Sequence, residues 1–163
     1  MGRMEKDMTV DNLEKELGQG KLDSLYLLYG EEEYLLETSV KKIKKLFGTI
    51  LPGINYILLD ETNLNRIIEE IETPAFGFEK KLIIVKSSGL FKKETKAKSK
   101  GNNQLADKIA EYIEKNIKSI KETAIIIFIE KEIGKTNLAS VIEKNGVTCN
   151  FEKLKPAQIS RKA

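Results

Sequence analysis

The apolar residues of this chain alternate between two spacings. Continuous apolar runs of four to six residues mark strands. Between them, apolar residues recur every three or four positions and mark amphipathic helices. Val10, Leu13 and Leu17 predict a short helix over Val10 to Leu17, with Thr9 as its cap and Gly18 as its stop. A first strand follows at Leu25 to Tyr29, then a helix over Glu33 to Phe47 on Leu36, Val40, Ile43 and Phe47. The early glutamates and late lysines of that helix suit its macrodipole. Ile54 to Leu59 predicts a second strand. Leu64, Ile67, Ile68 and Ile71 predict a short helix that Pro74 ends. Leu82 to Val85 is a third strand, and Ser87 to Asn103 reads as a loop rich in glycine, lysine and serine. Leu105, Ile109, Ile113 and Ile117 predict one long helix, and Ala124 to Ile129 a fourth strand. A helix on Leu138, Val141 and Ile142, stopped at Gly146, leads to a fifth strand over Val147 to Phe151.

Strict alternation of strand and helix, with continuously apolar central strands, is the signature of a sheet buried on both faces. The expected fold is α/β with three layers: a mostly parallel five-stranded sheet and helices on both sides. At 163 residues and 40% apolar content the chain suits one domain, placed at 1–152. Lys153 to Ala163 is polar, contains Pro156 and reads as a linker, so the chain is expected to be an N-terminal fragment. A net charge of +3 permits contact with DNA but does not predict it. A single cysteine, Cys149, gives no disulfide framework and points to a reducing, cytoplasmic compartment. Histidine is absent, which removes the commonest general base and metal ligand. No apolar run is long enough to span a membrane, and the polar N-terminus leads to no signal-like segment.

The most informative junction is Gly30-Glu31-Glu32-Glu33, between the first strand and the helix after it. A nucleotide-binding α/β fold carries its phosphate loop there, built from backbone N–H groups and positive charge. Three carboxylates, no second glycine and no lysine would repel a triphosphate. The junction therefore predicts an NTPase-like fold that uses no nucleotide, and no cofactor is expected. Consecutive glutamates at a helix start diverge, so helix charge explains them better than a metal site. Gly134-Lys135-Thr136 looks like the end of a phosphate loop, but Ile129 stands where the first glycine belongs; Thr136 as a helix cap is the better reading. Cys149, with no histidine to activate it, is read as a buried structural thiol. Lys92, Lys93, Lys96, Lys98 and Lys100 crowd one loop, either as a solvated segment or as a contact to a DNA backbone. In Pro74-Ala75-Phe76-Gly77-Phe78, two phenylalanines flank a glycine in a short turn. Two readings are open for them: both rings in the core, or one exposed as an anchor for a partner's pocket.

Two segments resemble one family. Leu27-Leu28-Tyr29-Gly30-Glu31-Glu32-Glu33-Tyr34-Leu35 is similar to the opening of the delta subunit of the bacterial DNA polymerase III clamp loader. So is the run from Glu72-Thr73-Pro74-Ala75-Phe76-Gly77-Phe78 to Lys86, and Lys131-Glu132-Ile133-Gly134-Lys135 and Asn145-Gly146-Val147 fit as well. The resemblance covers about Leu25 to Leu154. It implies an AAA+-type domain with a degenerate nucleotide site and no catalysis of its own. It further implies that the chain binds the ring-shaped sliding clamp and helps open it for loading onto primed DNA, as part of the DNA polymerase III holoenzyme. Phe76 stands at the phenylalanine of the family's hydrophobic wedge. Ala75, where the family often has a larger aliphatic, and Phe78, assigned the missing apolar surface, are the other two expected clamp-binding residues. The other loader subunits would be met through a lid and a collar, and residues 153–163 would begin that lid. The rival readings are a cryptic ATPase and a DNA-binding accessory domain using the lysine loop.

Overall fold

The computed structural model describes residues 7–91 and 100–152, the side chains of 100–103 excepted. Five strands form one sheet: β1 (Leu25–Tyr29), β2 (Tyr56–Leu59), β3 (Lys81–Lys86), β4 (Ala124–Glu130) and β5 (Val147–Asn150). Their order is β2-β3-β4-β1-β5, and every pairing is parallel. Among the described residues six helices surround it: α1 (Val10–Gly18), α2 (Glu33–Phe47), α3 (Ile67–Glu72, entered through a 3-10 turn at Leu64–Arg66), α4 (Lys100–Lys115), α5 (Ile117–Thr123) and α6 (Asn137–Asn145).

The order of the strands settles the layers. The step from β1 to β2 runs one way across the sheet, and the steps from β2 through β3 and β4 to β5 run back. Parallel crossovers are right-handed, so α2 lies on one face and α3 to α6 on the other. The packing agrees. Tyr26 and Leu28 of β1 join Leu13 and Leu17 of α1 and Leu36, Val40 and Ile43 of α2. Leu25, Leu27 and Tyr29 join Ile67 and Ile71 of α3, Ile109 and Ile113 of α4, and Leu138 and Ile142 of α6. Successive strand residues point to opposite faces, and all five residues of β1 are buried. Continuous apolar runs are the direct result.

Both threonine caps are present: Thr9 accepts from the amide of Asn12 at 3.1 Å, and Thr136 from that of Ala139 at 3.2 Å. Three boundaries differ from the sequence reading by more than one residue. The second strand starts at Tyr56, since Ile54 and Asn55 belong to a closed loop. Helix α4 begins at Lys100, inside the span read as loop. The long helix also breaks at Asn116, which leaves Ile117 in α5. At the break the Asn116 side-chain amide donates to the Tyr112 carbonyl at 2.9 Å, the competition with the backbone by which asparagine interrupts helices.

Tyr26 makes the core sensitive to high pH. Burial of its ring pushes the phenol up to about 12, and its oxygen accepts from the Asp23 amide at 2.8 Å. The unfolded chain loses this proton near pH 10, while the folded chain holds it to about 12. The unfolded state then binds fewer protons across that window, so stability falls as pH rises, at up to about 1.4 kcal/mol per pH unit. Urea unfolding at about pH 9 and about pH 11 is expected to show a smaller loss for Tyr26→Phe than for the parent. Equal losses would remove Tyr26 as the cause.

Candidate functional site

The β1–α2 junction is closed by the protein's own backbone. Gly30 donates to the Glu130 carbonyl at 3.2 Å, and Glu32 to the Phe151 carbonyl at 2.8 Å. Phe151 in turn donates to the Tyr29 carbonyl at 2.6 Å, and Glu33 to the Glu31 carbonyl at 2.9 Å. The Gly30, Glu32 and Glu33 amides, three of those that a phosphate loop would aim at an anion, are thus engaged inside the chain. Gly30 has φ +135°, and a Cβ placed there would lie 2.3 Å from the Phe151 oxygen. The segment after β5 therefore lies hard against the junction.

Beside it is a cavity of about 480 Å3, between α2 and the carboxyl ends of β1, β3 and β4. Its charge is mixed: Glu33, Glu37 and Glu130 face Lys41, Lys44, Lys86 and Lys131. Lys131 lies 3.8 Å from the Glu33 carboxylate, and Lys44 sits over the Tyr56 ring at 5.2 Å. Glu130 is buried and accepts from the Ser88 amide at 3.1 Å and from the Ser88 hydroxyl at 2.8 Å. That carboxylate latches the chain leaving β3, where Ser87 takes φ +49°. Glu130→Ala would leave the Ser88 amide unpaired and is expected to destabilise the fold by about 1–3 kcal/mol, read from the urea midpoint. Among the described residues no group of three or more Asp, Glu, His or Cys converges to hold a metal ion.

The Phe76 turn lies at the opposite, amino-terminal end of the strands. Phe78 donates to the Ala75 carbonyl at 2.8 Å, and Gly77 takes φ +87° at the third position. A first-to-fourth hydrogen bond with a left-handed glycine third is the pattern of a type II turn. Phe76 occupies the second position, at the tip, and is 91% exposed. Ala75 is buried and Phe78 half-buried, so the turn is rooted by its ends and displays its middle. The approach to the turn is also braced. Buried Lys81 donates to the Glu70 carbonyl at 2.8 Å, tying the start of β3 to α3.

The other residues singled out in the sequence lie elsewhere. Thr136 is a helix cap, and Cys149 is buried in β5. Lys92, Lys93, Lys96 and Lys98 fall outside the described residues, and only the backbone of Lys100 is described. Sequence reading missed the loop between α2 and β2. There Leu51 and Ile54 are exposed around a buried Asn55. The signal was Pro52-Gly53, a turn dipeptide placed just before the predicted strand.

The family model described as DNA polymerase III, delta subunit, matches residues 26–152. The chain belongs to this delta subunit family. A DNA polymerase III subunit delta of Bacillus subtilis is 33% identical over 79 residues, which cover 45% of this chain and 22% of that protein. The solved Bacillus subtilis DNA clamp loader delta protein superposes with a TM-score of 0.70 at 23% identity, over 94% of this chain and 45% of that one. A DNA polymerase III gamma subunit-related protein from Thermotoga maritima superposes with a TM-score of 0.51 at 12% identity, over 89% of this chain and 47% of that one. The delta-family chain therefore spans less than half the length of these relatives, and shares with the two solved structures a three-layer α/β fold. Among its described residues no helix is long and apolar enough to cross a membrane.

Proposed function

We propose that this delta-family chain is the sliding-clamp-binding domain of a clamp-loader subunit, and that it acts by binding alone. The observation that carries the reading is Phe76: a large apolar side chain, 91% exposed, held at the tip of a hydrogen-bonded turn. An aromatic so displayed suits a partner's pocket, and burying it contributes roughly 1.5–3 kcal/mol. Ala75 is assigned the support of the turn, and Phe78 the apolar margin beside it. Family membership supports the choice of partner. The internally bonded β1–α2 junction supports a domain that takes no nucleotide, leaving ATP to other subunits of the loader.

Opening a ring by binding requires differential affinity: the domain holds the open clamp interface more tightly than the closed one. Contact with the other loader subunits and with primed DNA is assigned to the assembled loader, outside this domain. The test is direct binding of the 163-residue chain to its cognate clamp, titrated at low and high salt. An apolar wedge predicts binding that changes little with salt, whereas a lysine–phosphate contact to DNA is steeply salt-dependent. Failure of the folded chain to bind the clamp would refute the proposal.

A further inference from the structure

We infer that the loop from Gly48 to Asn55 forms a second arm of the clamp contact, with Leu51 and Ile54 as its anchors. This inference rests on the clamp-binding reading. A specific protein interface buries about 800 Å2 on each partner, and a phenylalanine ring supplies only about 150–250 Å2. Phe76 alone is too small, so the partner must cover neighbouring surface. The strand register points to where that surface lies. Tyr56 of β2 pairs with Leu82 of β3, and the Leu82 amide donates to the Asn55 carbonyl at 2.7 Å. The loop entering β2 and the turn entering β3 therefore emerge side by side at the same end of the sheet.

The loop is built to display its aliphatic residues. Asn55 is fully buried, accepts from the Leu51 amide at 2.6 Å and donates to the Thr49 carbonyl at 2.8 Å. Ile54 and Asn55 both donate to the Leu51 carbonyl, at 3.0 and 3.1 Å, and Gly53 to the Tyr56 carbonyl at 2.9 Å. This network holds the loop in one shape while Leu51 and Ile54 stay 42% and 43% exposed. Neither side chain is among those that form the two core clusters or pack against them. A stiff loop loses little conformational entropy on docking, so affinity gained there is not offset by ordering. The second arm thus fits an apolar shelf on the clamp beside the pocket that receives Phe76.

The experiment compares clamp affinity of four chains: the parent, Phe76→Ala, Leu51→Ser/Ile54→Ser and Leu58→Ser. Leu58 is also exposed, but it lies within β2 and not in the loop. The expected result is a loss of about tenfold or more for the Leu51/Ile54 double variant, as for a secondary hot spot, with Leu58→Ser unchanged and thermal unfolding retained. The single variant Ile54→Ser replaces the double should the latter fail to fold. Affinity of the loop variant within about twofold of the parent, with Phe76→Ala impaired, would overturn the second arm and leave the clamp reading standing. Loss of the same size in Leu58→Ser would also overturn it, since the effect would not be specific to the loop. No binding by the folded parent would overturn both.

Discussion

Phe76→Ala weakens binding of this domain to its cognate clamp by at least about 2 kcal/mol, roughly a 30-fold rise in Kd, and leaves the fold intact. The two halves of that expectation come from the same fact. A side chain that is 91% exposed contributes almost nothing to the core, so truncating it opens no cavity. It can therefore be worth only what it buries against a partner. The hydrogen bond from Phe78 to Ala75 and the left-handed Gly77 hold the tip in place before binding, so little ordering cost is set against the ring's burial. Titration calorimetry or surface immobilisation gives the Kd, and thermal unfolding gives the control. An unchanged Kd would remove Phe76 from the contact. A lowered Tm would mean that the turn supports the fold as well as the contact.

Gly30→Ala is expected to be the most damaging small substitution at the β1–α2 junction. A Cβ there meets the carbonyl oxygen, carbon and nitrogen of Phe151 at 2.3, 2.5 and 2.7 Å, on a backbone with φ +135°. Those neighbours are main-chain atoms and cannot rotate away. Moving them lengthens the 2.6 Å bond from Phe151 to Tyr29 and the 2.8 Å bond from Glu32 to Phe151. Overpacking and backbone strain each cost about 1–3 kcal/mol, so a loss on the order of 3 kcal/mol, or roughly 6–12 °C in Tm, is expected. Gly18→Ala is the matched control: its Cβ meets nothing within 4 Å and its φ is not in the left-handed range. That variant should unfold within about 0.5 kcal/mol of the parent, as surface changes do. Near-equal melting of the two variants would show that residue 151 does not press on the junction in solution.

The residues that could be read without a structure are those whose environment is set locally. Leu25 to Tyr29 and Leu82 to Val85 carry apolar side chains on both faces, which is required only in a strand buried from both sides. Thr9 and Thr136 sit where a helix start leaves amides unpaired, and both cap as expected. The carboxylates at Glu31 to Glu33 are a poor match for a phosphate whatever surrounds them. The exposure of Phe76 was not legible in this way. Two phenylalanines beside a glycine fit a core or a surface equally, and the choice rests on where the turn emerges relative to α3 and β3. The loop around Asn55 was hidden for a similar reason: Ile54 and Asn55 extend an apolar run, and only the buried amide, bonded at both ends, shows that the run begins later.

Local chemistry thus specified the alternation of elements, the parallel sheet and the unsuitability of the β1–α2 junction for a triphosphate. The strand order, the closure of that junction by Phe151 and the shared end of the sheet from which Phe76, Leu51 and Ile54 emerge came from the folded structure. Each of these depends on residues far apart in the chain, brought together when both faces of the sheet are buried at once, and no periodicity along the sequence records such a meeting.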